Sequence, residues 1–164
     1  MDAPSPELIG IDDVRRVAIV GAGTMGQQIG FQCAGHGYDV VLYDVDPASL
    51  EAAPARIDAY AEMLEMSGAI TSELRSSAQA RITMTADLET AAREADLLSE
   101  AVPEDPDLKG RVLAEFNAAC PTRTIFMSNT STLCPPSSRA RRGGAIACWR
   151  FTFTYRSGST TSST

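Results

Sequence analysis

An α/β fold, built as a doubly wound parallel sheet with helices on both faces, is predicted by three features of this sequence. Residues 16–30 read RVAIVGAGTMGQQIG, a short apolar run followed by glycines and then a helical pattern. Residues 40–44 (VVLYD) form a second apolar run that ends on an acid. Beyond them, strand-like and helix-like stretches alternate as far as Met127, the pattern of a mostly parallel sheet.

Residues 1–13 are acidic and proline-containing and are expected to be a disordered lead-in, with the folded domain over 14–133. Val17, Ala18, Ile19 and Val20 are too few for a helix and suit a buried strand. Gly21, Gly23 and Gly26 follow as G-x-G-x-x-G. In a dinucleotide-binding βα turn the first glycine permits the tight turn and the second lets backbone approach a pyrophosphate. The third lets the helix pack closely on the strand. The helix from Thr24 to about Ala34 then points its free N–H groups and positive dipole end at the phosphates. Gly35-His36-Gly37 ends it, since glycine suits the left-handed residue after a helix. His36 is the single histidine and falls in a connecting turn, where a surface residue is expected. Asp44 closes the second strand about 20 residues past the glycines, where a carboxylate binds the adenosine ribose.

From Pro47 a helical pattern runs to about Ser67, with Leu50, Ala53, Ile57, Tyr60, Ala61 and Leu64 on one face. Pro54 sits inside it and is expected to kink or restart the helix. Thr71 suits the cap of a shorter helix ending near Ala80. Residues 81–85 (RITMT) alternate like a strand, 87–93 suit a short helix, and 95–102 (ADLLSEAV) are the next strand. Pro103-Glu104-Asp105-Pro106 opens a helix with Leu108, Val112, Phe116 and Ala119 along one stripe, and Cys120-Pro121 stops it. Residues 124–127 (TIFM) make a last buried strand running into Ser128-Asn129-Thr130-Ser131. Ligands of open α/β sheets sit off the carboxyl ends of strands, which is where Asp44, the 100–104 segment and 128–131 fall.

At 164 residues and 44% apolar content the chain suits one soluble domain. It has no long apolar run to span a membrane and no secretion-signal pattern at its start. The cysteines at 33, 120, 134 and 148 form neither a CxxC pair nor a framework, so reduced thiols in a cytoplasmic protein are expected, and no metal site. A net charge of −7 argues against nucleic acid as a partner. The charge is uneven. Residues 133–164 hold five arginines and no Asp, Glu or Lys, where ordinary sequence at this density carries about five acids.

Together these segments resemble the N-terminal NAD-binding domain of the L-3-hydroxyacyl-CoA dehydrogenases. The resemblance runs from Arg16 to Leu133 through VAIVGAGTMGQQIG, VVLYD, LLSEAVPEDPDLKGRVLAEF and SNTSTL. The glycine turn is shared with other dehydrogenases, whereas SEAVPED with its following lysine, then SNTS, is more specific. The resemblance implies a Rossmann-type sheet with a helical hairpin inserted between Asp44 and Arg81. It implies oxidation of the 3-hydroxyl of an acyl-CoA, a step of fatty acid β-oxidation, with hydride passing to NAD. Gly21, Ala22, Gly23, Thr24, Met25 and Gly26 would hold the pyrophosphate, and Asp44 both hydroxyls of the adenosine ribose. No arginine follows Asp44 closely, which favours NAD over NADP. Glu104 and Lys109 match residues that contact the cofactor, and Ser131 matches a serine touching cofactor and substrate oxygen. Read without the resemblance, Glu104 is a helix-start acid, Lys109 a solvated helix residue and Ser131 a helix cap.

The family takes the hydroxyl proton on a histidine in a segment resembling HFFNP, oriented by a glutamate. Imidazole suits that task because its pKa lies near the operating pH. No histidine or acid follows Ser131. The family's second, all-helical domain, which supplies its dimer contacts, is expected to be absent too. A reading-frame slip accounts for the change. Restoring one base before Cys134 lets 134–140 read L-P-S-V-I-A-G, and brings a His or Tyr codon across Phe151 and Thr152. Residues 134–164 are therefore expected to be an out-of-frame, disordered tail, and the chain a truncated NAD domain, inert alone. The other readings are a basic arm for the tail, and, for the domain, a non-catalytic NAD-binding sensor or assembly module. Another NAD-dependent β-hydroxyacid dehydrogenase is a third, against which SNTS argues.

Overall fold

The computed structural model describes residues 10–129 and the backbone of Ile146–Ala147. Ser131 and the expectations for 1–9 and for the remainder of 134–164 lie outside the described residues. A short 3-10 turn (Ile11–Asp13) leads into β1 (Arg16–Val20), α1 (Thr24–Gly35) and β2 (Asp39–Tyr43). Next come α2 (Pro47–Met66), α3 (Ser72–Gln79), β3 (Ile82–Thr85), α4 (Leu88–Ala92) and β4 (Leu97–Glu100). The described part ends with α5 (Pro106–Ala119), β5 (Ile125–Ser128) and β6 (Ile146–Ala147).

The strands pair in parallel in the order β3-β2-β1-β4-β5-β6. The chain winds outward from β1 to β3, then crosses back to lay β4 on the other side of β1. The reversal places a crevice between the carboxyl ends of β1 and β4, the usual ligand position in such sheets. Side chains of β1 alternate between two cores. Val17 and Ile19 pack with Val40, Leu42, Phe31, Ala34 and the α2 residues Ala53, Ile57 and Ala61. Ala18 and Val20 pack with Tyr43, Leu98, Phe116 and Phe126 on the other face. A strand buried on both faces has no polar side to show, which explains the unbroken apolar run.

The inserted hairpin is present as α2 and α3, and Thr71 caps α3 by accepting the Leu74 N–H at 3.3 Å. Pro54 does not restart α2, which is one continuous helix over Pro47–Met66. Pro54 is exposed while Ala53 and Ile57 on either side are buried. Its ring removes one backbone bond on the wet side, where water can serve the freed carbonyl, and the buried face keeps the helix in register. Arg75 of α3 clasps Asp58 and Glu65 of α2 at 2.6 and 2.8 Å, closing the hairpin.

At the amino ends of the strands, Asp96 accepts the N–H groups of Arg15 and Arg16 at 3.0 Å each and meets the Arg123 guanidinium at 3.2 Å. Burial alone raises this carboxyl, but the two amides and the guanidinium outweigh it and leave its pKa below the ordinary value. A depressed folded pKa contributes stability that is present above the unfolded pKa and is lost as pH falls through the folded one. The melting temperature is expected to drop on acidification below about pH 4. In Asp96→Asn this acid slope should be shallower, read by circular dichroism melts across acidic pH; equal slopes in the two proteins would refute the assignment.

Burial pushes the Cys120 thiol up to about 11 and also raises that of Cys33, so both stay protonated at neutral pH. Among the described residues no helix is long and apolar enough to cross a membrane.

Candidate cofactor site

The turn from β1 into α1 is shaped by its three glycines, each for a different reason. Gly21 has φ +112°, and a Cβ there would lie 2.7 Å from the Ala101 carbonyl oxygen, so backbone of the β4–α5 loop passes against it. Gly26 is tighter still: a Cβ would sit 1.9 Å from the Gly21 carbonyl oxygen. Gly23 is the opposite case, with nothing within 4 Å of an added Cβ. Gly23, Thr24 and Met25 are exposed, and no side chain caps the start of α1. An uncapped helix N-terminus behind an open glycine crest leaves N–H donors and the positive dipole end facing outward. That arrangement fits a diphosphate. Buried Gln27 braces the turn from beneath by donating to the Ala22 carbonyl at 2.6 Å.

Asp44, one residue past β2, is joined directly to this turn. Its Oδ2 accepts the Ala22 N–H at 2.7 Å and its Oδ1 accepts the Asp46 N–H at 2.9 Å. Each carboxylate oxygen can accept a second bond, so the group is locked in place with capacity left for two hydroxyls. No basic residue lies between Asp44 and Arg56 in the chain, so no neighbouring cation along this stretch offers to receive a further phosphate.

Across the switch point, the carboxyl end of β4 holds a second cluster. Glu100, the last residue of β4, is fully buried. Both of its oxygens accept from Lys109 Nζ at 2.9 Å. Oε1 also accepts the Val102 N–H at 2.8 Å, and Oε2 the Ser128 hydroxyl at 2.6 Å. Lys109 Nζ lies 3.2 Å from Glu104, whose side chain is more exposed, toward the surface. Lys109 is therefore not the solvated helix residue that its type suggests, because it is only 6% exposed and its ammonium is drawn inward by Glu100. Glu104 lies in the turn before α5, just ahead of the Asp105 cap that accepts the Leu108 N–H.

The structure thus brings Gly21, Ala22, Gly23, Thr24, Met25 and Gly26 together with Asp44, and brings Glu104 together with Lys109. The two groups meet where Gly21 abuts Ala101. Sequence reading placed Glu100 at a strand end but gave it no role. The available signal was a lone acid closing a central strand otherwise fit for full burial.

Residues 16–140 match the family described as 3-hydroxyacyl-CoA dehydrogenase, NAD binding domain. An L-carnitine dehydrogenase from Streptomyces griseus is 37% identical over 120 residues, covering 73% of this chain and 35% of that protein. A 3-hydroxyadipyl-CoA dehydrogenase from Escherichia coli is 33% identical over 121 residues, covering 74% of this chain and 25% of that one. The crystal structure of 3-hydroxybutyryl-CoA dehydrogenase from Escherichia coli matches with a TM-score of 0.68 at 33% identity, over 73% of this chain and 25% of that one. The chain spans about a third or less of the length of these relatives. With the parallel order, the open glycine turn and the locked Asp44 in agreement, the chain belongs to the 3-hydroxyacyl-CoA dehydrogenase family and carries its NAD-binding domain.

Proposed function

We propose that Gly21 to Gly26 hold the diphosphate of NAD and that Asp44 accepts both hydroxyls of the adenosine ribose. The observation that carries this is the Asp44–Ala22 hydrogen bond, which sets the Asp44 carboxylate beside the open glycine turn. Glu104 and Lys109 serve the nicotinamide half, on the β4 side of the crevice, and Ser131 contacts cofactor and substrate. NAD when bound supplies the hydride acceptor for oxidation of the 3-hydroxyl of an acyl-CoA. The reading is supported by 3-hydroxyacyl-CoA relatives and by the reversed strand order that opens the crevice.

A carboxylate accepting two hydroxyls is a pair of charge-assisted bonds. Asp44→Ala is expected to weaken NAD binding about 100-fold by titration calorimetry, with NADP affected less. Unchanged NAD affinity would remove the assignment.

The chain is also proposed to bind its cofactor without turning over substrate at the family's rate. His36 is exposed at the far end of α1, about 18 Å of helix from the glycine turn, and cannot take the hydroxyl proton. General base help contributes 10²–10⁴-fold in typical cases, on the order of what this chain should lack. Acetoacetyl-CoA with NADH should give little oxidation above background by NADH absorbance. Turnover at ordinary dehydrogenase rates would refute the inertness.

A further inference from the structure

Glu100 is fully buried, and the side-chain hydrogen bonds it accepts come from Val102, Lys109 and Ser128, none from the glycine turn or from Asp44. Its carboxylate gathers three pieces of chain: the loop after β4 through Val102, α5 through Lys109, and the end of β5 through Ser128. A lysine ammonium on a flexible four-carbon stem has three donors that ordinarily turn freely in water. Here two face the oxygens of Glu100 at 2.9 Å, and Glu104 and the Val102 carbonyl lie at 3.2 and 3.4 Å. Lys109 is thus held at one point beneath the crevice rather than sampling many.

A dinucleotide lying across the switch point places its adenosine half over β2 and its other half over β4 and β5. We propose that Glu100 is a positioning residue for the nicotinamide-riboside half of the cofactor, acting through Lys109. It fixes the ammonium, and with it Glu104 and the ends of β4 and β5, in the arrangement that half requires. This rests on the cofactor placement proposed above. ADP separates the two ideas, because it carries the adenosine ribose and the diphosphate but lacks the nicotinamide riboside.

The test is calorimetric titration of the full chain with ADP and with NADH, in the parent protein, Glu100→Gln, Lys109→Gln and the double variant. ADP affinity should stay within about twofold throughout, while NADH weakens about tenfold in each single variant, as expected when a charge-assisted contact is lost. Residues acting through one another do not add, so the double variant should bind NADH no more weakly than the weaker single. Where either single variant fails to fold, the neutral double variant, free of an unpaired buried charge, keeps the comparison of ADP with NADH possible. Equal loss of ADP and NADH would make Glu100 merely structural and overturn the inference, as would NADH affinity that does not change. So would additive losses in the double variant. A parent protein that binds NADH but not ADP would instead overturn the cofactor placement itself.

Discussion

Gly26→Ala is expected to cost about 3 kcal/mol or more of folding stability, or a fall of about 10 °C in melting temperature. The added methyl carbon would stand 1.9 Å from the Gly21 carbonyl oxygen and 3.3 Å from an Ile19 methyl. Neither neighbour can yield cheaply. The first is backbone of a turn whose Gly21 already sits at φ +112° against Ala101. The second belongs to a side chain with no exposure in the centre of the core. Relief requires α1 to lift off β1, which exposes Phe31 and Ala34 and separates Asp44 from the Ala22 amide. Gly23→Ala is the matched control. Its backbone is in an extended region open to any residue, and no atom lies within 4 Å of the new carbon. Its melting temperature should match the parent, while NAD binding weakens because the methyl occupies the face that the diphosphate would approach. A Gly26→Ala protein as stable as the parent would show that the turn can open without consequence.

Much of this was legible in the sequence because independent signals coincided. The apolar run, the glycine spacing and the acid after β2 each had a different physical reason, and all three pointed to one turn. Thr71 was legible as a cap because its hydroxyl acts on an amide three residues away, a local relation. The restart expected at Pro54 does not occur, for the converse reason. Its local cost is real, but it is weighed against burial of Ala53, Ile57 and Ala61 on a face fixed by distant strands. Lys109 was the least legible. Lysine in a helix is nearly always solvated, and what overrides that is an acid on another element that becomes a neighbour only once α5 folds back on β4. The place of Asp44 could be read from spacing, but its bond to Ala22 could not, since it depends on where two parallel strands end.

Lys109→Met is expected to destabilise the protein by about 3–5 kcal/mol, because it leaves the Glu100 carboxylate buried without its counter-charge. The Val102 amide and the Ser128 hydroxyl would still donate to it, and they reduce the penalty without neutralising it. Restoring neutrality should recover the loss. In Glu100→Gln/Lys109→Met the methionine fills the volume of the lysine stem and the glutamine keeps partners at Val102 and Ser128. Such neutral replacements are often no less stable than the ion pair they replace. Chemical denaturation of the single and double variants checks this. If the double variant is as unstable as Lys109→Met, the cost lies in packing of the stem and the uncompensated-charge explanation is wrong. If it recovers, the pair contributes little to folding, and its presence at the floor of the crevice has to be explained by what it positions there.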